Sequence, residues 1–178
     1  FSPDSLTSDS IICVTIKPDA TKGKDAHVLS GLPALNVEPH QEMLAVSWTC
    51  MGNPCVDREL IQFDLNAIPK NAMLISGSLS LYAHPNPVTI PYPNSGNANA
   101  CYIQRIITSW DENTVTWNTQ PATTTINQVI LPQSISQTQS YINFDVTQLV
   151  QDMLNDPTNS YGFMIRLIDE STSYNGRD

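Results

Sequence analysis

Alternation of apolar and polar residues, the mark of a half-buried strand, recurs along most of this 178-residue chain. Residues 11–16 put Ile12, Val14 and Ile16 on one face and predict a first strand. Residues 43–49 predict a second, and residues 60–65 a third in which Ile61, Phe63 and Leu65 alternate with Gln62 and Asp64. In residues 74–82, Leu79 and Leu81 alternate with Ser78 and Ser80, and further strands are expected at 101–107, 129–131, 141–146 and 161–168. The period changes once. Val146, Leu149, Val150, Met153 and Leu154 recur at helical spacing, with Asp145 or Thr147 to cap the start and Pro157 to stop it, so one short helix is expected near residues 147–155.

Between these elements lie a polar lead-in at 1–10, a turn-rich loop at 17–25, and a segment at 83–100 whose four prolines and four asparagines read as a surface insertion. The expected organisation is one domain over residues 11–178. Thirteen prolines against seven glycines, with only 14% charged residues, fit a loop-rich all-β protein.

Charge narrows the partners. Eight Lys and Arg against 17 Asp and Glu leave a net charge of -9, which repels phosphate backbones and anionic membranes. Nucleic acid is not an expected partner. The longest apolar runs, such as 163–168, fall well short of the roughly 20 residues a membrane-spanning helix needs. The chain starts at Phe1 with a polar, Ser-rich stretch, as expected of an exported protein whose targeting peptide has been removed.

Four cysteines favour disulfides in an oxidising compartment, and three pairings are open. Cys50 and Cys55 flank the turn-forming Met51-Gly52-Asn53-Pro54, so a local bridge there is natural and leaves Cys13 with Cys101; four buried thiols are the alternative. A zinc site fits less well, because His27, His40 and His84 are scattered. Asp19 and Asp25 supply oxygens of the kind a structural calcium takes, although loop aspartates are more often turn formers. No other cofactor is called for. Trp110, Trp117 and Tyr92 are candidates for stacking on a sugar ring, against a stronger reading of the two tryptophans as core packing.

No local motif of a catalytic centre is present. Asp111 with Glu112, and Asp169 with Glu170, are sequence neighbours that would point to opposite faces of a strand, so neither makes a glycosidase pair. Their expected role is solvation. The chain reads as a non-enzyme.

Several runs, taken in order, resemble the DNRLRE-type domains, extracellular β-sandwiches of bacteria and archaea that overlap carbohydrate-binding module family 96. They are Lys17-Pro18-Asp19-Ala20-Thr21-Lys22-Gly23-Lys24-Asp25, Leu60-Ile61-Gln62-Phe63-Asp64-Leu65 with Ile68-Pro69-Lys70-Asn71-Ala72, and Leu79-Ser80-Leu81-Tyr82. Thr108-Ser109-Trp110-Asp111-Glu112 through Trp117-Asn118-Thr119-Gln120-Pro121 follows, then Phe144-Asp145-Val146-Thr147-Gln148-Leu149-Val150-Gln151 and Tyr161-Gly162-Phe163. The resemblance implies a jelly-roll-like antiparallel β-sandwich without a catalytic centre, carried by secreted or cell-surface proteins, some of which bind acidic glycans such as alginate.

Two departures stand out. Gln62 takes the place of an Arg, and no closing strand of the Arg-Pro-x-Leu-x-Val-x-Tyr kind follows Ile168. A sandwich one strand short exposes an edge and part of its core, which contact with another molecule would cover. The leading expectation is therefore a structural or adhesive subunit of an extracellular assembly, such as a filament completed by strand donation, with itself or other extracellular proteins as partners. Residues 10–15 are a candidate donor, although pairing within their own domain is the favoured reading. The alternative is a carbohydrate-binding module for an extracellular polysaccharide.

Overall fold

The computed structural model describes residues 11–18, 21–37, 42–84, 98–136, 138–171 and 175–177. The protein is an all-β, antiparallel jelly-roll-like sandwich with one short α-helix among the described residues. The strands are β1 (Gly23–Leu29), β2 (Ala45–Cys50), β3 (Asn53–Phe63), β4 (Ser78–Leu81), β5 (Cys101–Ile106), β6 (Thr123–Leu131), β7 (Tyr141–Asp145), β8 (Phe163–Leu167) and β9 (Asn175–Arg177), with α1 (Thr147–Asn155) between β7 and β8.

One sheet has seven strands along the path β6-β5-β8-β3-β2-β9, with β1 also paired to β3; the other is the pair β4-β7. β3 organises the large sheet because it is long enough to serve three neighbours. Asp57 faces Leu29 of β1 and Val46 of β2, while Glu59, Leu60 and Ile61 face both β1 and Ile165, Met164 and Phe163 of β8. β1 therefore lies along one edge of β3, and β2 and β8 share the other.

Period-two alternation in β8 and β3 divides their side chains between two cores. Ile61, Phe163, Ile165 and Leu167 point inward, where Ile103, Leu131, Leu79, Tyr141, Leu149 and Met153 meet them between the large sheet and the layer of β4-β7 and α1. Leu60 and Met164 point the other way, into a second cluster with Ala26, Val28, Ile106, Trp110 and Val115. The segment that follows β5 folds over the outer face of the large sheet to cover them.

The helix forms where its spacing placed it. Asp145 Oδ1 accepts the Thr147 amide at 2.9 Å and its hydroxyl at 2.6 Å; these bonds, the side-chain one foremost, hold the Asp145 carboxyl below its ordinary range. Leu149 and Met153 are buried beneath it.

Three expectations need correction. Residues 11–16 form no strand: Ile11, Ile12 and Val14 are exposed, because alternation supplies a face but a ladder also needs an adjacent edge. Residues 17–25 are not all loop, since β1 begins at Gly23 and pairs with β3 through all seven of its residues; that long ladder outweighs the weak strand propensity of Gly-Lys-Asp-Ala. Within the run from Trp110 to Pro121, residues Trp117–Thr119 form a 3-10 turn capped by Thr116. A strand does follow Ile168, because β9 pairs antiparallel with Ala45, Val46 and Ser47 of β2. The lead-in at 1–10 and most of the insertion at 83–100, residues 85–97, lie outside the described residues.

The cysteines divide. Cys50 and Cys55 are disulfide-bonded with Cα atoms 5.4 Å apart, across a hairpin turned by Met51 and Gly52, both at positive φ. Cys13 and Cys101 are not joined: Cys101 is fully buried at the start of β5, while Cys13 lies in the exposed segment before β1.

Candidate functional site

The loop that follows β5 covers the outer face of the large sheet around Leu60 and Met164; beyond it the face displays polar and aromatic side chains. Strand register builds it. Tyr102 of β5 stands directly opposite Ile130 of β6 on one side and Arg166 of β8 on the other. Arg58 of β3 and Ser47 of β2 share the same face, because Ser47 pairs with Val56 and Arg58 is two residues further along the strand.

Glu170, just beyond β8, binds this face together. Its carboxylate accepts Arg58 Nε at 2.8 Å and Nη2 at 2.6 Å, a two-pronged ion pair, and takes Arg166 Nη1 at 3.5 Å. Ser47 donates its hydroxyl to the Glu170 carbonyl at 2.9 Å. The third arm of Arg58, Nη1, reaches Gln120 Oε1 at 2.8 Å, and the guanidinium lies 4.5 Å over the Trp117 ring. Gln120 Nε2 in turn donates to the Trp117 carbonyl at 2.9 Å. Arg166 sits 5.8 Å from the centre of the half-buried Tyr102 ring.

The result is a fixed, shallow surface with aromatic faces, fork-shaped donors and amides. Two guanidiniums against one carboxylate leave it locally cationic on a chain of net charge -9. Chemically it can stack a ring and donate hydrogen bonds to hydroxyls or carboxylates. Nothing in it would activate a nucleophile.

Of the residues picked out from the sequence, Trp117 alone joins this face. Trp110 is a core residue, 8% exposed, with Nε1 donating to the Tyr161 carbonyl at 2.8 Å and Lys24 Nζ 4.3 Å over its ring. Lys24 also donates to the Trp110 carbonyl, and burial, only partly offset by Asp111 and Glu112, lowers its pKa. Trp110 is thus not available to a sugar. Tyr92 and Asp19 lie outside the described residues, and Asp25 is an exposed position of β1 opposite Ile61. Among the described residues no three His, Cys, Asp or Glu side chains converge as a metal site. Asp169 and Glu170 do not act alike: Asp169 Oδ1 accepts the Ser171 amide and hydroxyl, whereas Glu170 anchors two arginines.

A buried acidic group lies on the opposite, inner face. Glu59 is directly across from His27, and His27 Nδ1 is 3.4 Å from Asp57. Burial raises the Glu59 pKa well above its ordinary value, and Asp57 and Asp25 push it further, against a 3.2 Å hydrogen bond from the Leu44 amide.

The sequence reading missed Tyr102, Arg58, Arg166 and Gln120, and gave Glu170, which pairs with both arginines, only a solvating role. A signal was present in β8, where Arg166 interrupts the run Phe163-Met164-Ile165-Arg166-Leu167 on the side that Met164 shares.

A family model describing carbohydrate-binding module family 96 matches residues 19–177, nearly the whole chain. The chain belongs to carbohydrate-binding module family 96. No curated protein matches it. This family 96 module has, in the outer face, a surface with the physical properties of a sugar platform. Among its described residues no helix is long and apolar enough to cross a membrane.

Proposed function

We propose that the chain is a non-catalytic, extracellular module that binds a polysaccharide on the outer face around Tyr102, Arg166, Arg58 and Trp117. The observation that carries this reading is family membership over residues 19–177. The face supplies the means: the C–H side of a pyranose packs on an aromatic ring, and guanidinium forks donate to its hydroxyls or carboxylate. Because Glu170 and Gln120 already hold Arg58 in place, little side-chain entropy is lost when sugar arrives. An extracellular location agrees with the Cys50–Cys55 disulfide.

The sequence favoured a structural subunit of an assembly as the main role. Family membership supports carbohydrate recognition and says nothing of assembly, so the polysaccharide reading takes precedence. Affinity electrophoresis through gels containing acidic or neutral polysaccharides tests it. The native chain is expected to be retarded by at least one of them, and Tyr102→Ala or Arg166→Gln to weaken retardation by roughly ten-fold, about 1.4 kcal/mol, without unfolding. Silence across the whole panel would overturn the reading.

A further inference from the structure

We infer that the Cys50–Cys55 disulfide and Asn36 are positioning groups of the outer face: they seat the loop that follows β1, and that loop sets the turn carrying Trp117. The inference rests on the sugar-binding reading of that face and adds to it what holds the ring in place.

The bridge lies directly against the loop. A Cβ added at Gly31 would come within 2.5 Å of Cys55 Sγ and 3.0 Å of Cys50 Sγ, so no side chain fits between the loop and the sulfurs. Ser30 fastens the same point to β3. Its amide donates to the Val56 carbonyl at 2.8 Å, and its hydroxyl oxygen accepts the Val56 amide at 2.7 Å. The bond between Cys50 and Cys55 fixes the sulfurs as a floor for Gly31, whereas two separate thiol side chains would each turn among rotamers.

From this seat the loop reaches the segment after β5 through three hydrogen bonds. The Pro33 carbonyl accepts the Asn118 amide at 2.9 Å, and Asn36 Nδ2 donates to the carbonyls of Glu112 at 3.0 Å and Val115 at 2.7 Å. Val115 and Asn118 bracket Trp117. The Thr116–Thr119 capping box shapes the turn itself, but the loop decides where it sits. Trp117 and Gln120 then both meet Arg58, the ring 4.5 Å beneath the guanidinium and Oε1 2.8 Å from Nη1.

Arg58 is three residues beyond Cys55 on β3, so the contacts close a circuit: strand, bridge, loop, turn and back to the strand. A closed circuit of short contacts leaves the Trp117 ring little freedom before sugar arrives, and a ring fixed in advance loses little entropy on binding. Asn36 acts at one remove, because its donors go to backbone carbonyls.

The test uses the full isotope-labelled chain and three variants: Asn36→Ala, Gly31→Ala, and Cys50→Ala with Cys55→Ala. Each should shift the Trp117 indole resonance and speed exchange of the Asn118 amide roughly ten-fold, while the Trp110 indole and the Ile106 amide, bonded to the Gly162 carbonyl, stay as they are. In the chain without the bridge, Gly31→Ala should add nothing, since the sulfurs it would strike are gone. Retention in an alginate gel should weaken roughly three-fold in each variant. A Trp117 indole unmoved by loss of the bridge or by Gly31→Ala overturns the inference. Exchange that accelerates equally at Ile106 shows a bridge that only stabilises the fold, and full retention despite a shifted indole shows a face that does not need the ring held; either result overturns it too. A native chain retarded by neither alginate nor a neutral glucan instead defeats the sugar-binding reading, and the indole and amide signals separate the two failures.

Discussion

Trp110 and Trp117 are seven residues apart and chemically identical, and their surroundings give them opposite roles. Trp110 fills the second core and satisfies its indole N–H on the Tyr161 carbonyl, while the half-buried Trp117 has Arg58 over its ring at the margin of the outer face. Trp110→Ala is expected to cost about 3–5 kcal/mol in chemical denaturation, as large-to-small changes in aromatic cores do. Trp117→Ala should cost distinctly less and show its main effect on glycan retention. Equal losses of stability would contradict this division. Glu59 gives a second test at the same scale. Its carboxyl keeps its proton to higher pH in the folded chain than at the ordinary 4.5 of the unfolded one. Between those two values the folded state holds a proton that the unfolded state has released, so stability is greatest below 4.5 and falls as pH rises toward the folded value. Glu59→Gln should remove that decline from a plot of Tm against pH; an unchanged slope would locate its cause elsewhere. The core role of Trp110 was the stronger reading of the sequence; what separates it from Trp117, and the burial of Glu59, were not legible there. An aromatic or an acid declares its type but not its neighbours, and the neighbours of Glu59 come from β1 and the residues before β2, 15 or more positions away.

Elements were more legible where a pattern could be completed locally. Helix α1 has its own apolar stripe and its own stop, with Asp145 just ahead of it accepting the Thr147 amide, and it formed at residues Thr147–Asn155 as expected. The apolar centre of β8 was equally plain. β1 was missed for the converse reason: its strand character resides in β3, which supplies seven ladder positions to a sequence that reads as a turn. Residues 11–16 show the same rule inverted, with a strand-like pattern that joins no ladder. Gly162 joins these elements. It adopts a φ of +98° where the chain enters β8, and a Cβ there would lie 2.1 Å from the Ile61 carbonyl oxygen. Gly162→Ala must therefore force β8 away from β3 as well as strain the backbone, and a loss above about 3 kcal/mol is expected, among the larger effects of a single substitution. A thermal shift of only one or two degrees would show that the β3-β8 contact yields more easily than the packing implies.

At the scale of the whole molecule, composition and order of motifs set the class correctly: all-β, antiparallel, one helix, a family that binds carbohydrate. The proposed binding face was not legible because it is assembled from β2, β3, β5, β8 and the turn at Trp117–Thr119, so no single stretch of sequence carries it. The excess of acid over base likewise concealed a local pair of arginines, which only the register of β3 and β8 brings to one surface. The central claim is the location of the sugar, and chemical-shift mapping of the labelled chain during titration with oligosaccharides tests it most directly. The account predicts shifts concentrated at Tyr102, Arg166, Arg58 and the Trp117 indole, with Trp110 unmoved. Shifts concentrated along the cleft between the sheets, with the outer face silent, would contradict it.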